Sequence, residues 1–243
     1  MTNIQNFKLP TSWRGRDAKK DYEEVMNRKN EPAPIIPVQT NKLDTNDFIY
    51  VPSIKLYVAK ERTHLGKNWK DCWTELQSQN YKMPKINEFR EFLKYLISEP
   101  NNQEYKNIFN EITEVRNPWR AEWLDANFKV ENKGLFKKSE LYILTENESK
   151  KEKLEDCLMS DKNPGIELND WINGKNINSQ GLPNKNISSG SLYYWYPRSD
   201  NNSVAWFGAY VSRADLDCDR SPSDADSDLG VRPCKAGPAE GIK

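Results

Sequence analysis

The chain has 243 residues carrying 36 basic and 36 acidic side chains, so its formal net charge is zero. Hydrophobic residues make up only 36% of it, yet eight Trp and eleven Tyr provide core-forming bulk, which excludes the aromatic-poor, highly charged composition of a disordered chain. The length suffices for one large domain or two small ones, and a balanced charge gives nucleic acid no electrostatic footprint.

No apolar run approaches the roughly 20 residues of a membrane span, so no membrane insertion is expected. Met1 to Phe7 lacks the basic start and apolar stretch of a signal peptide, which makes a cytoplasmic location the expectation, with surface display by another route left open. Cys72, Cys157, Cys218 and Cys234 are widely separated, and His64 is the single histidine. Zinc ligands come in closely spaced pairs, so free buried thiols are expected instead. Cys218–Cys234 is the pair to consider if one disulfide forms.

In chain order, residues 1–46 read as an arm punctuated by Pro10, Pro32, Pro34 and Pro37, with one short helix over 17–28. A single domain is expected over 47–243. Phe48 to Val58 is β-branched and aromatic and predicts a strand or a bent pair of strands. Asn68 caps a predicted helix carrying Trp69, Cys72, Trp73 and Leu76 at helical spacing. A second helix follows from Lys85 with Ile86, Phe89, Phe92, Leu93 and Leu96 on one face, and a third spans 104–115. Residues 119–130 read as extended or mixed, 141–144 as a short strand, and 150–159 as a short charged helix. Residues 188–198 and 203–212 read as antiparallel partners joined by a turn at 199–202. Residues 213–228 read as a long polar loop, and 229–234 as one last strand. The fold class is α+β with mixed or antiparallel strands and two to three helices.

The segment from Gly208 to Asp228 has its own composition. It holds six of the sixteen aspartates, mostly at every second position, and contains no Lys, Glu, Asn, Gln, Met or Ile. Three causes suit such a switch. An interaction surface concentrates special residues on loops. Alternating carboxylates suit a cation. The third is genetic: Gly, Ala, Tyr, Val, Ser and Asp are reachable from an asparagine codon by changing only adenines, whereas Lys, Glu, Gln and Met are not.

The stretch from Val204 to Cys234, closing on Leu229-Gly-Val-Arg-Pro-Cys234, resembles the C-terminal variable region of proteins diversified by diversity-generating retroelements. Arg120-Ala-Glu-Trp-Leu-Asp-Ala-Asn-Phe128 looks like the central segment of the same family. The resemblance implies a C-type-lectin-like fold, no enzymatic activity, no cofactor, and a ligand that is a protein or another surface macromolecule. The Lys- and Asn-rich composition suits an archaeal member. By the same resemblance the diversified residues are Gly208, Tyr210, Val211, Ser212, Asp215, Asp217, Asp219, Ser221, Asp224, Ala225, Asp226 and Asp228. Trp206, Arg213, Arg220, Pro222 and Arg232 are the fixed scaffold, their guanidiniums expected to satisfy loop carbonyls. Tyr194 and Tyr196 are candidates for the fixed part of the site.

The main alternative is a Ca²⁺-dependent binding or lectin-like module using the carboxylates from Asp215 to Asp228. Asp215, Asp217 and Asp219 match the first ligands of an EF-hand loop, but Arg220 stands where glycine is needed and Asp226 where a bidentate glutamate belongs. Solvent exposure is the simpler expected relief for their mutual repulsion. Glu99-Pro100-Asn101 matches a sugar-binding lectin tripeptide, but it sits where a helix ends, and helix-stop chemistry explains it. Cys218 and Cys234 lack the pattern of the formylglycine-generating oxidases, and His64 has no companion nucleophile motif. The Tyr193-to-Tyr196 run lacks the interleaved basic residues of a nucleic-acid stacking surface.

Overall fold

In the computed structural model the described residues are 12–13, 16–17, 45–131, 139–154, 166–184, 190–210 and 213–238. The chain divides into two compact units, residues 1–43 and 44–243. In the first, strands β1 (Ser12–Trp13) and β2 (Arg16–Asp17) pair antiparallel. The helix expected over 17–28 therefore loses Asp17 to β2, and its remainder lies outside the described residues.

The second unit is mixed α+β. Its elements are β3 (Phe48–Val51), β4 (Leu56–Ala59), α1 (Trp69–Ser78), α2 (Ile86–Ser98), α3 (Gln103–Thr113), β5 (Arg120–Glu131), β6 (Glu140–Thr145), β7 (Lys150–Lys153), α4 (Leu168–Ile172), β8 (Leu192–Trp195), β9 (Ser203–Ala209), β10 (Ala214–Arg220), β11 (Leu229–Val231) and β12 (Cys234–Ala236). Asn68 caps α1 by accepting from the Asp71 amide at 2.9 Å. Glu99 is the C-cap of α2, so Glu99-Pro100-Asn101 stands at a helix stop.

One seven-stranded sheet runs in the order β7-β6-β5-β9-β10-β8, with β11 also pairing β5. A second sheet has the order β12-β4-β3. Side-chain alternation gives the large sheet two faces. Ala205 and Phe207 of β9, Leu216 and Cys218 of β10 and Tyr194 of β8 pack with α2, α3 and α4 in the main core. Val204 and Trp206 of β9, with Ala121 and Trp123 of β5, pack on the other face with α1 and β11. Neither β10 nor β8 contributes to that second cluster.

Several expectations are corrected. Residues 214–220 form a strand rather than part of a loop, leaving only 221–228 as turns. Residues 192–195 and 203–209 do not pair. β10 lies between them, antiparallel to β9 and parallel to β8, because the covering of one apolar face decides strand order, which turn residues at 199–202 do not fix. The charged helix expected from Lys150 begins instead as β7, which pairs with β6, and its remainder lies outside the described residues. The extended or mixed stretch at 119–130 is a continuous twelve-residue strand. Residues 229–236 give two strands in two sheets rather than one. Cys72, Cys218 and Cys234 are buried free thiols, and Cys157 lies outside the described residues.

Candidate functional site

The uncovered half of the second sheet face carries the site. On β10, Ala214, Leu216 and Cys218 point into the core, so Asp215, Asp217 and Asp219 project the opposite way. Antiparallel pairing sets Asp217 opposite Trp206 and Asp215 opposite Gly208 on β9. Parallel pairing sets them beside Trp195 and Tyr193 on β8. The result is a cleft of about 510 Å³ with an acidic floor and aromatic walls. Trp119, Trp195, Trp206 and Tyr210 form the walls, while Asp215, Asp217, Asp219 and Asp226 line the floor with Arg213 and Arg220.

The walls are fixed by contact. Trp119 meets Trp206 edge-on at 5.0 Å between ring centroids. The Arg220 guanidinium lies 4.9 Å over the Trp206 ring and pairs with Asp224 at 2.9 Å. Arg213 lies 4.7 Å over Tyr193 and donates from Nε to Asp215 at 2.9 Å. Each arginine thus meets a carboxylate and at least one ring face, Arg213 also lying 5.8 Å over Tyr210, an arrangement that suits guanidinium chemistry.

The floor is drier than solvent-exposed carboxylates would be. Asp215 and Asp217 are only 8% and 7% exposed, which overturns the expectation that exposure relieves their repulsion. Burial pushes the Asp217 carboxyl up to about 8, and the Asp219 carboxyl beside it adds to that rise. Burial also raises Asp215, against the opposing pull of Arg213. A proton held by Asp217 and the Arg213–Asp215 ion pair therefore relieve the repulsion. The Asp217 Oδ1 accepts from the Asp219 amide at 2.9 Å. The Trp206 indole N–H is buried on the residue opposite Asp217 and favours its charged form, without a well-formed hydrogen bond.

Of the residues marked as diversified, Tyr210, Asp215, Asp217, Asp219 and Asp226 line the cleft together. Ser221, Asp224, Ala225 and Asp228 lie in the turns after β10, outside its lining. The Asp228 carbonyl accepts from the Ala121 amide at 3.1 Å and from Arg62. Gly208 is buried in β9, where an added Cβ would stand 3.0 Å from the Arg120 carbonyl and 3.5 Å from the Trp206 ring. Val211 and Ser212 lie outside the described residues.

Among the scaffold residues, Trp206, Arg213 and Arg220 are part of the cleft itself. Arg213 and Arg220 engage carboxylates and rings. Arg232 does satisfy carbonyls, donating to Ala59 at 2.9 Å and to Lys60, and it also grips Glu122 with two bonds of 2.9 and 2.7 Å. The Pro222 carbonyl accepts from the Trp69 amide at 3.2 Å, tying the turn to the start of α1. Tyr194 is fully buried on the core side of β8, and Tyr196 packs against the same core. The aromatic that β8 gives the cleft wall is Trp195, one residue from Tyr194 and therefore on the opposite face. Trp119 and Trp195 were missed by sequence reasoning, and the period of two in 192–195 was the signal for Trp195.

His64 belongs to a different cleft, where Nδ1 is 2.6 Å from Thr63 Oγ1 and Nε2 is 3.4 Å from the Glu75 carboxylate. Among the described residues no group of three His, Cys, Asp or Glu side chains is arranged to hold a metal, and no helix is long and apolar enough to cross a membrane. No protein-family model matches the chain, and neither a curated protein nor a solved structure does.

Proposed function

We propose that the chain is a non-enzymatic, receptor-like binding protein with a C-type-lectin-like fold, and that its site is diversified by retroelement-directed adenine mutagenesis. The observation that carries this reading is the meeting of Tyr210, Asp215, Asp217, Asp219 and Asp226 in one cleft. Changeable positions on β10 alternate there with the core residues Ala214, Leu216 and Cys218. A strand built this way exchanges its outward side chains without disturbing the packed face. Large aromatic walls around polar groups suit a macromolecular ligand surface.

The genetic half is tested by DNA sequence. A near-copy of the coding stretch for residues 204–234, with adenines at the codons of the diversified positions, is expected near the gene, together with a reverse transcriptase. Independent isolates are expected to differ at those codons and not at the codons for Leu216 or Cys218. Isolates identical at every one of those codons, with no such copy nearby, would remove the proposal.

A further inference from the structure

We propose that the cleft binds a primary ammonium group, the terminus of a lysine side chain on a protein partner, against the Asp217–Asp219 pair, expelling a proton to solvent. The inference rests on the cleft being the binding surface proposed above.

The two arginines in the lining show which chemistry this surface accepts. Arg213 and Arg220 each combine an aspartate with aromatic faces, Tyr193 and Tyr210 for the first and Trp206 for the second. Those pairings occupy Asp215 and Asp224. Asp217, Asp219 and Asp226 line the same cleft with no ion-pair partner among the described residues. Three carboxyl groups beside Trp195 and Trp206 are therefore left for an incoming cation.

Asp217 is over nine-tenths buried and meets repulsion from its neighbour, so in the empty cleft it keeps a proton. A cation placed against the pair makes that proton unnecessary. The charged groups around Asp217 are Asp215, Asp219, Arg213 and Arg220 on and beside β10, and Asp224 and Asp226 in the following turns. Tyr193 on β8 and Tyr210 after β9 complete the titratable surroundings. The Trp206 N–H is a second, independent sign. It is buried in the wall without a well-formed hydrogen bond, on the residue opposite a carboxyl group that becomes a strong acceptor only when ionised.

The Asp217 Oδ1 already accepts from the Asp219 amide, which leaves that carboxyl group fewer open sites for a second donor. A compact ammonium needs only one oxygen from each acid and directs its donors freely. The open mouth and the exposed Tyr210 at the rim suit a side chain presented by a protein surface.

The test uses the full chain, with Nα-acetyl-lysine N-methylamide as probe and the norleucine analogue, which lacks only the ammonium, as control. The indole ¹H–¹⁵N signals of Trp195 and Trp206 are followed by NMR. The lysine probe is expected to shift both, the norleucine probe neither. Competition with the Asp217 proton raises apparent affinity roughly twentyfold from about pH 6.5 to about pH 8.5. Asp217→Asn and Asp219→Asn are expected to abolish the shifts while the remote Trp69 and Trp171 signals stay in place, showing an intact fold. Equal shifts with norleucine, or lysine binding without pH dependence, would overturn the ammonium site while leaving the cleft a binding surface. Absence of any shift with the lysine probe would overturn it as well. Failure of the genetic test bears only on the diversification reading.

Discussion

Asp217 and Trp206 face each other across the β9–β10 ladder, so a nearly dry carboxyl group stands against the indole that walls the cleft. Because burial raises this acid to about 8 from its ordinary value of 3.8, the folded state holds a proton that the unfolded chain releases. The associated stability is present below about pH 4 and is lost as pH rises through the folded value. Asp217→Asn removes that loss and keeps an oxygen for the Asp219 amide. It is expected to raise the melting temperature at pH 8 by at least about 2–4 °C, roughly 1 kcal/mol for a unit of this size, with little change at pH 4. Thermal melts at both pH values check this. A variant no more stable than the parent at pH 8 would mean that burial does not raise the Asp217 carboxyl.

Glu122 is buried between Arg120 and Arg232, and the two guanidiniums hold it charged below the usual carboxylate range despite its burial. Arg232 in turn bridges β5 to the carbonyls after β4, so this ion group ties the two sheets together. Glu122→Gln leaves the buried Arg232 without a counter-charge and Arg120 with Glu111 alone, and is expected to cost about 3–5 kcal/mol. Urea unfolding measures this directly. A loss below about 1 kcal/mol would assign the stabilisation to the carbonyl bonds alone.

Helices α1, α2 and α3 were legible in the sequence because their apolar residues repeat at helical spacing and Asn68 and Pro100 mark ends, whereas α4, with five residues, is too short to show a period. β10 was not, although Ala-Asp-Leu-Asp-Cys-Asp alternates like any half-buried strand. Aspartate is a poor strand former, and its abundance suggested a loop. The pattern of period two was the stronger signal, since one face of the strand meets the core whatever the other carries. The same pattern separates Trp195 from Tyr194. The partner of β9 was illegible for a different reason: strand order depends on which apolar faces the helices cover, and a polar turn at 199–202 does not record that. Clustering of Tyr210, Asp215, Asp217, Asp219 and Asp226 followed from the sequence, but their dryness and the part of Trp119 required three-dimensional packing.

Calcium offers a clean discrimination. A folded-state site saturated about a hundredfold above its Kd would add about 2.7 kcal/mol, or roughly 5–10 °C in melting temperature. Asp215 and Asp224 are already engaged by Arg213 and Arg220, and among the described residues no three ligands converge. The expected outcome is a shift below about 1 °C at millimolar Ca²⁺. A rise of several degrees, lost when Asp215, Asp217 and Asp219 become Asn, would instate the metal-dependent module instead.

Tolerance to substitution should differ sharply between Gly208 and Asp219. At Asp219 the half-buried side chain leaves the core face and lines the cleft, so a new residue there changes the wall without displacing packed core atoms, whereas Asp215 and Asp217 are nearly dry and Asp215 is held by Arg213. At Gly208 the first added carbon stands 3.0 Å from the Arg120 carbonyl and 3.2 Å from the Ala121 Cβ. Backbone on one side and the Trp206 ring on the other leave little room for yielding. Gly208→Ala is expected to cost about 1–3 kcal/mol, and Gly208→Tyr to cost more. Asn, Ser or Tyr at position 219 should change stability by no more than about 0.5 kcal/mol. A display library sorted for folded protein checks both at once, with Gly retained at 208 and a broad alphabet at 219. Equal breadth at 208 would mean that β9 shifts away from Arg120 and that the strand, rather than its side chains alone, is adaptable.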